Sequence, residues 1–239
     1  MNKFDSPVSV CLAYYEGSDF IHQQLNSLIA DLRDCDEIVL VNDSPWQSLA
    51  GLSNQSPLIR YYENKVNIGY VASFSKAISL ASHDIIFLCD QDDIWLEGKR
   101  EKSVLALSRG CLVVSDYYIF DSSGNSEIVE QPDYSNRFLT LLRIILGRSY
   151  FLGCVMSFDR KSFSHFIKIP SFVQSHDIYL AIIACFIGNI VNVPEPLICH
   201  RLHFKNVTNP NRSLFLKIKS RLWILKSIFY VFFRHRIPH

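Results

Sequence analysis

Three carboxylates fall within four positions at Asp90, Asp92 and Asp93. Acids so crowded repel one another unless something positive sits between them. A hard divalent cation meets that need: Mg²⁺ or Mn²⁺ is commonly held by one or two carboxylates, with substrate phosphates filling other coordination positions. In an extended segment Asp90 and Asp92 point the same way, which gives the Asp-x-Asp spacing a reason. The same acids could equally form a solvated turn. The setting favours a site, with the apolar run Ile85 to Leu88 ahead of the acids and Ile94 and Trp95 behind them. Two further groups could do chemistry. His176 and Asp177 head the apolar run Ile178 to Ile187, where the carboxylate either caps a helix or takes a proton from an attacking hydroxyl. The segment Cys199 to Asn206 gathers His200, Arg201, His203 and Lys205, and an arginine fork matches phosphate.

These residues need a frame. Val8 to Ala13, Glu37 to Val41, Ile59 to Tyr62 and Ile85 to Leu88 read as strands. Helices are expected from about Phe20 to Ile29, with Ser18 or Asp19 as cap, and over Val71 to Ala81. Strand, helix, strand in repetition predicts a parallel sheet covered by helices. Ligands of such sheets sit outside the carboxyl ends of the strands, and Tyr14, Asp43 and Asp90 all lie just past strand ends. Further on, the pattern predicts strands at Leu112 to Ser115 with Asp116 at the end, at Phe151 to Phe158, and at Ile190 to Val193 closed by Pro194 and Pro196. A turn is expected at Asp121 to Asn125, and helices over Phe138 to Leu146 and Ile178 to Ile187.

Composition narrows the classes. The 239 residues are 49% hydrophobic and 20% charged, enough for a substantial core. A net charge of +1 gives no case for nucleic-acid binding. The seven cysteines form no Cys-x-x-Cys pair and sit mostly in apolar contexts, as small core residues in a reducing compartment. No apolar signal segment opens the sequence, which argues for cytosolic residence. Neither a Gly-x-Gly-x-x-Gly nor a Walker-type loop is present, so a dinucleotide site and a P-loop are poor readings.

Together these segments resemble glycosyltransferase family 2, enzymes with the nucleotide-sugar-binding GT-A fold, and within it the rhamnosyltransferase-like bacterial enzymes of surface polysaccharides. The resemblance rests on Val8 to Gly17, Asp43 and Ser44, the run Asp90 to Trp95 with Lys99, Gly153 to Met156, His176 and Asp177, and His200 to His203 with Asn206. The chain departs from the family at Asn42, where many members have an acid, at Pro45 and Trp46, and at Leu202, where Gln is common. The resemblance implies a Rossmann-like, mixed but mostly parallel sheet flanked by helices over residues 1–209. It implies inverting transfer from a nucleoside-diphosphate sugar, dTDP-rhamnose or a UDP-hexose. The receiving hydroxyl would belong to a growing, lipid-linked oligosaccharide of O-antigen or capsule. By resemblance Asp92 and Asp90 hold Mg²⁺ or Mn²⁺, and Tyr14, Asp43, Asp90 and Gln91 bind the nucleotide and donor. Asp177 is the base. Asp93, Trp95, Gly153, Cys154, His176, Arg201 and His203 lie on the acceptor or diphosphate side. A non-catalytic nucleotide-sugar-binding module and a membrane-attached scaffold are the competing readings.

The remaining residues, 210–239, read as a basic amphipathic helical appendage. Ile218, Leu222, Leu225, Phe229 and Phe232 recur at helical spacing, flanked by Lys217, Lys219, Arg221 and Lys226. The apolar stretch is far short of the ~20 residues of a spanning helix. Such a helix suits the surface of an anionic membrane, peripheral on the cytoplasmic face of the inner membrane, or else it packs on protein.

Overall fold

The continuous apolar runs become inner strands. In the computed structural model, which describes residues 5–121, 126–149, 151–202 and 214–236, β1 (Val8–Tyr14), β2 (Glu37–Asn42) and β4 (Ile85–Cys89) are buried along almost their whole lengths. Both faces are covered, so alternation with polar residues is absent. β1 lies between β2 and β4 and is parallel to both, and β3 (Ile59–Glu63) extends the sheet beyond β2. The chain thus winds outward through β2 and β3, carrying α1 (Ile21–Asp31) and α2 (Tyr70–Leu80), and returns to lay β4 on the other side of β1. That reversal opens a crevice at the carboxyl ends of the strands.

The second half adds β5 (Ile94–Trp95), β6 (Leu112–Phe120), β7 (Ser126–Val129), β8 (Met156–Asp159) and β9 (Ile190–Arg201). The sheet runs β3-β2-β1-β4-β8-β6-β9-β5, with β7 paired to β6. β8 is antiparallel to both β4 and β6, while β9 is parallel to β6. The parallel ladders hold most of the paired residues, so the expected mixed, mostly parallel α/β architecture is the one observed. The helices of this half are α3 (Lys99–Ala106), α4 (Arg137–Leu146), α5 (His176–Ile187) and α6 (Leu214–His235). α5 is buried over most of its surface, and α4 and α6 both pack on it.

Several boundaries differ from expectation. Residues Gly153–Val155 form a 3₁₀ turn and the strand begins only at Met156; the Cys154 carbonyl accepts from the Lys99 ammonium instead of from a ladder partner. β6 continues past Ser115 to Phe120, so Asp116 lies within a strand. β9 continues through both prolines to Arg201 because it bulges beside Asp116: Val193 pairs with Ser115 and Pro196 with Asp116, so Pro194 and Glu195 fall outside the register, where a missing N–H costs no ladder bond. Neither Ser18 nor Asp19 caps α1: Phe20 occupies the cap, and the Gly17 carbonyl accepts from Phe20 and Ile21 instead. The anticipated 209/210 boundary, His203, Lys205, Asn206 and most of the Asp121 to Asn125 turn lie outside the described residues.

Candidate active site

Asp90 leaves the carboxyl end of β4, and the loop it opens crosses the mouth of the crevice. Gln91 folds back onto the turn after β1, its Oε1 accepting from the Tyr15 N–H at 2.7 Å and its Nε2 donating to the Tyr15 carbonyl at 2.8 Å. A Cβ on Gly17 would overlap the Gln91 amide, so a larger residue here would displace Gln91 from this pairing. Asp92 is half-buried. Asp93 turns inward and is buried; its Oδ1 accepts from the Arg201 N–H at 3.1 Å and lies 2.8 Å from His200 Nδ1. The three acids therefore divide, Asp90 and Asp92 half-buried and Asp93 wholly inside the protein.

Electrostatics follows from that division. Burial of the Asp90 carboxyl among protein atoms and the charges of Asp93 and Asp92 push its pKa up to about 8, with Asp177 adding a smaller push. Burial opposes a charge on His200, but the hydrogen bond to Asp93 and the charges of Asp93, Asp90 and Asp92 outweigh it and raise its pKa to about 9. At neutral pH the His200–Asp93 contact is thus an ion pair. Asp93, Cys154 and His200 also present ligand atoms all within 4.8 Å of one another. A protonated imidazole and a thiol whose pKa burial raises well above the ordinary value are poor ligands for Mg²⁺ or Mn²⁺, which prefer oxygen. Asp90 and Asp92 fit such an ion better: a cation between them would relieve the crowding that now favours a proton on Asp90.

Asp177 stands in the first turn of α5. Ser175 is the cap, so the capping role left open for Asp177 belongs mainly to its neighbour. Oδ1 of Asp177 accepts from the Ser175 hydroxyl and from the Ile178 N–H, the latter at 2.8 Å, and the helix N-terminus favours its negative charge. His176 points the other way. It is buried, stacked on Phe74 at 4.1 Å between centroids, and neither ring nitrogen has a hydrogen-bond partner. Burial lowers its pKa, so it is neutral. A Cβ on Gly153 would come within 2.9 Å of His176 Nε2, which is why a glycine lies beneath this ring.

The other anticipated residues are spread between crevice and core. Asp43 is buried, and its carboxylate accepts from Asn64 Nδ2 and from the Ile68 and Gly69 N–H groups at 2.8–2.9 Å, shaping the loop before α2. Tyr14 is buried, with its hydroxyl donating to Gln47 at 2.9 Å. Trp95 is buried beside Phe87, with the Lys99 ammonium 4.7 Å from its ring. Arg201 is held between the rings of Phe20 and Phe120 and donates to the Asp92 carbonyl and to Gln23. His203 lies outside the described residues. Sequence reasoning passed over an exposed aromatic pair at the crevice mouth, Tyr15 and Trp46, 44% and 61% accessible and edge-to-face at 5.9 Å. The available signal was an aromatic residue shortly after each of two strand ends.

Comparisons with known proteins bear on the family and the fold. The profile of the family described as Glycosyl transferase family 2 matches residues 9–166. An uncharacterized glycosyltransferase of Rickettsia typhi is 22% identical over 87% of this chain and 68% of its own length. One from Nostoc is 22% identical over 52% of this chain and 40% of its own. Crystal structures of S. aureus TarS 1–349 share the fold. The complex with UDP-GlcNAc covers 96% of this chain and 72% of its own, with a TM-score of 0.68 at 13% identity. The complex with UDP covers 82% and 60%, with a TM-score of 0.65 at 15% identity.

Proposed function

Because the chain belongs to glycosyl transferase family 2, we propose that it moves a sugar from a nucleoside-diphosphate donor to a hydroxyl group in one displacement, with inversion. The observation that carries this reading is Asp177 at the head of α5, near enough to Asp90 for its charge to raise that acid's pKa. Ser175 and the Ile178 N–H engage Oδ1 of Asp177, which leaves Oδ2 to take the proton of an attacking hydroxyl. Asp90 and Asp92 would hold Mg²⁺ or Mn²⁺, whose charge would offset that developing on the leaving diphosphate. Tyr15 and Trp46 flank the nucleotide side, with Asp43 and Gln91 shaping the loops around it. Gly153, Cys154 and His176 form the wall behind Asp177 on the acceptor side. With Asp90 and Asp92 assigned to the metal and donor, a single displacement with Asp177 as base is the reading we favour over a retaining double displacement.

For the donor, the sequence resemblance favours dTDP-rhamnose or a UDP-hexose, and the UDP and UDP-GlcNAc complexes of TarS add UDP-N-acetylhexosamine to the candidates. The acceptor we infer is a lipid-linked oligosaccharide of O-antigen or capsule assembly. The test is turnover of a donor panel by the purified protein, with Mn²⁺ or Mg²⁺ and with EDTA, using a lipid-diphosphate saccharide as acceptor. Metal-dependent release of nucleoside diphosphate with an inverted product supports the proposal. Donor binding without turnover across the panel, or a product of retained configuration, overturns it.

A further inference from the structure

Helix α6 is apolar on two opposite sides. Its inner side, Trp223, Ile224, Ser227 and Val231, is buried, and ring contacts of Tyr230 with Phe172 and Phe232 with Phe186 tie it to the body. Its outer side is a second stripe, Ile218, Leu222, Leu225, Phe229 and Phe233, one residue every three or four, all exposed and Phe229 60% accessible. α4 repeats the arrangement. Thr140 and Ile144 point inward, while Phe138, at 78% accessible, Leu142 and Leu146 face solvent. The two helices are in contact, and the Arg221 guanidinium lies where a Cβ on Gly147, the α4 cap, would stand. Large apolar side chains left exposed on two neighbouring helices mark an interaction surface.

The charges around this surface say what covers it. No Asp or Glu occurs between Tyr134 and Phe158, nor from Pro196 to the last residue, His239. The same segments carry Arg137, Arg143, Arg148, Lys217, Lys219, Arg221, Lys226, Arg234 and Arg236. In a chain whose 24 Lys and Arg nearly balance its 23 Asp and Glu, these segments hold cations and no acid. A second copy presenting this face by two-fold symmetry would set cations against cations. Among the described residues no helix is long and apolar enough to cross a membrane. We propose that the outer faces of α4 and α6 together form a docking surface that lies in the interface of an anionic bilayer, apolar side chains among the acyl chains and lysines and arginines at the headgroups. The inference stands on the surface chemistry of these helices and does not depend on the transfer reaction.

The test is co-sedimentation of the full chain with vesicles of phosphatidylcholine alone and of phosphatidylcholine with phosphatidylglycerol, at low and high salt. Binding is expected to require the anionic lipid and to weaken with salt. Phe229→Ser and Phe138→Ser should each lower partitioning on the order of tenfold, and the Lys217→Glu, Lys219→Glu double variant by at least about as much. All of these positions are at the surface, so unfolding temperature and donor turnover in solution should stay at the parent values. Equal binding to both vesicle types overturns the proposal, and parent-like binding by Phe138→Ser overturns the part given to α4. A dimer in analytical ultracentrifugation that Phe229→Ser dissolves would assign the face to a second copy instead.

Discussion

Raising the pH from 6.5 to 9 is expected to destabilise the protein as the contact of His200 with Asp93 loses its proton. The folded-state pKa of His200 is about 9 against an ordinary 6.5. A raised pKa means that the folded state binds the proton more tightly, so the stabilisation is complete below 6.5 and is lost as pH rises through about 9. At about 1.4 kcal/mol per unit the whole shift is worth about 3 kcal/mol, of which the contact with Asp93 contributes about 2 kcal/mol and the charges of Asp90 and Asp92 the rest. For a domain of this size that is a fall of roughly 4–8 °C in unfolding temperature. Asp90 acts in the same direction: its pKa of about 8 against 3.8 means that stability also declines as pH rises through about 8. His200→Asn separates the two, since an amide can replace the Nδ1–H donor without carrying charge. The variant is expected to be less stable at pH 6.5 and to show a shallower decline between 6.5 and 9. The assay is thermal unfolding in EDTA across this range. A flat profile in the parent, or an equally steep one in His200→Asn, would refute the ion-pair reasoning.

Three other outcomes follow from the same geometry. Asp177→Asn keeps the side chain's size and its acceptor for the Ile178 N–H but removes the base, so kcat should fall on the order of 10²–10⁴-fold with donor affinity nearly unchanged; a parent-like kcat would withdraw the assignment. Arg100→Met strands the Asp36 carboxylate, which is fully buried and paired with Arg100 at 2.6 Å, and should cost about 3–5 kcal/mol in urea unfolding. Trp46→Ala, by removing one ring of the exposed pair, should raise donor KM roughly three- to tenfold with little change in kcat, whereas an unchanged KM would place the nucleotide elsewhere.

What the sequence disclosed and what it hid have physical reasons. β1, β2 and β4 were legible because strands covered on both faces are written as unbroken apolar runs. The end of β4 was legible because three acids follow it at once. The reach of β9 was hidden because Pro194 and Pro196 signal a break, and only the bulging of β9 against β6 explains their tolerance. Asp93 was read as a residue of the acceptor or diphosphate side, and its inward turn was hidden because its partner His200 lies 107 residues away. Tyr14 and Trp95 were candidates for the crevice because aromatic residues at strand ends look alike whether they face it or the core. The stripe on α6 was visible as a period. Phe232, counted in that stripe, is only half-buried, and Phe233 lies on the outer face in its stead. That the helix has a second, buried stripe needed α5 beside it.

The acid loop shows how a feature crowded with like charge can be held still. From Gln91 to Arg100 nearly every residue is tied to a different element. Gln91 is bound to the turn after β1 and the Asp92 carbonyl to Arg201. Asp93 is bound to His200, and the Trp95 N–H to Ser27 of α1. The Gly98 and Arg100 N–H groups are bound to Asp31, at 2.7 and 2.8 Å. Gly98 has a φ of +81°, a conformation that glycine takes without strain, and so lets α3 start against that carboxylate. Two buried cations sit below the loop, Lys99 against the Cys154 carbonyl and Arg100 on Asp36. Burial lowers the pKa of Lys99 and opposes the charge on Arg100, which Asp36 more than restores. Such a loop does not need to reorganise when a charged donor arrives, and prearranged dipoles and charges are what make electrostatic stabilisation effective in a site partly closed to water. The cost of crowding Asp90 against Asp92 is then met by the framework around them, and it is recovered when a cation and a diphosphate enter the crevice.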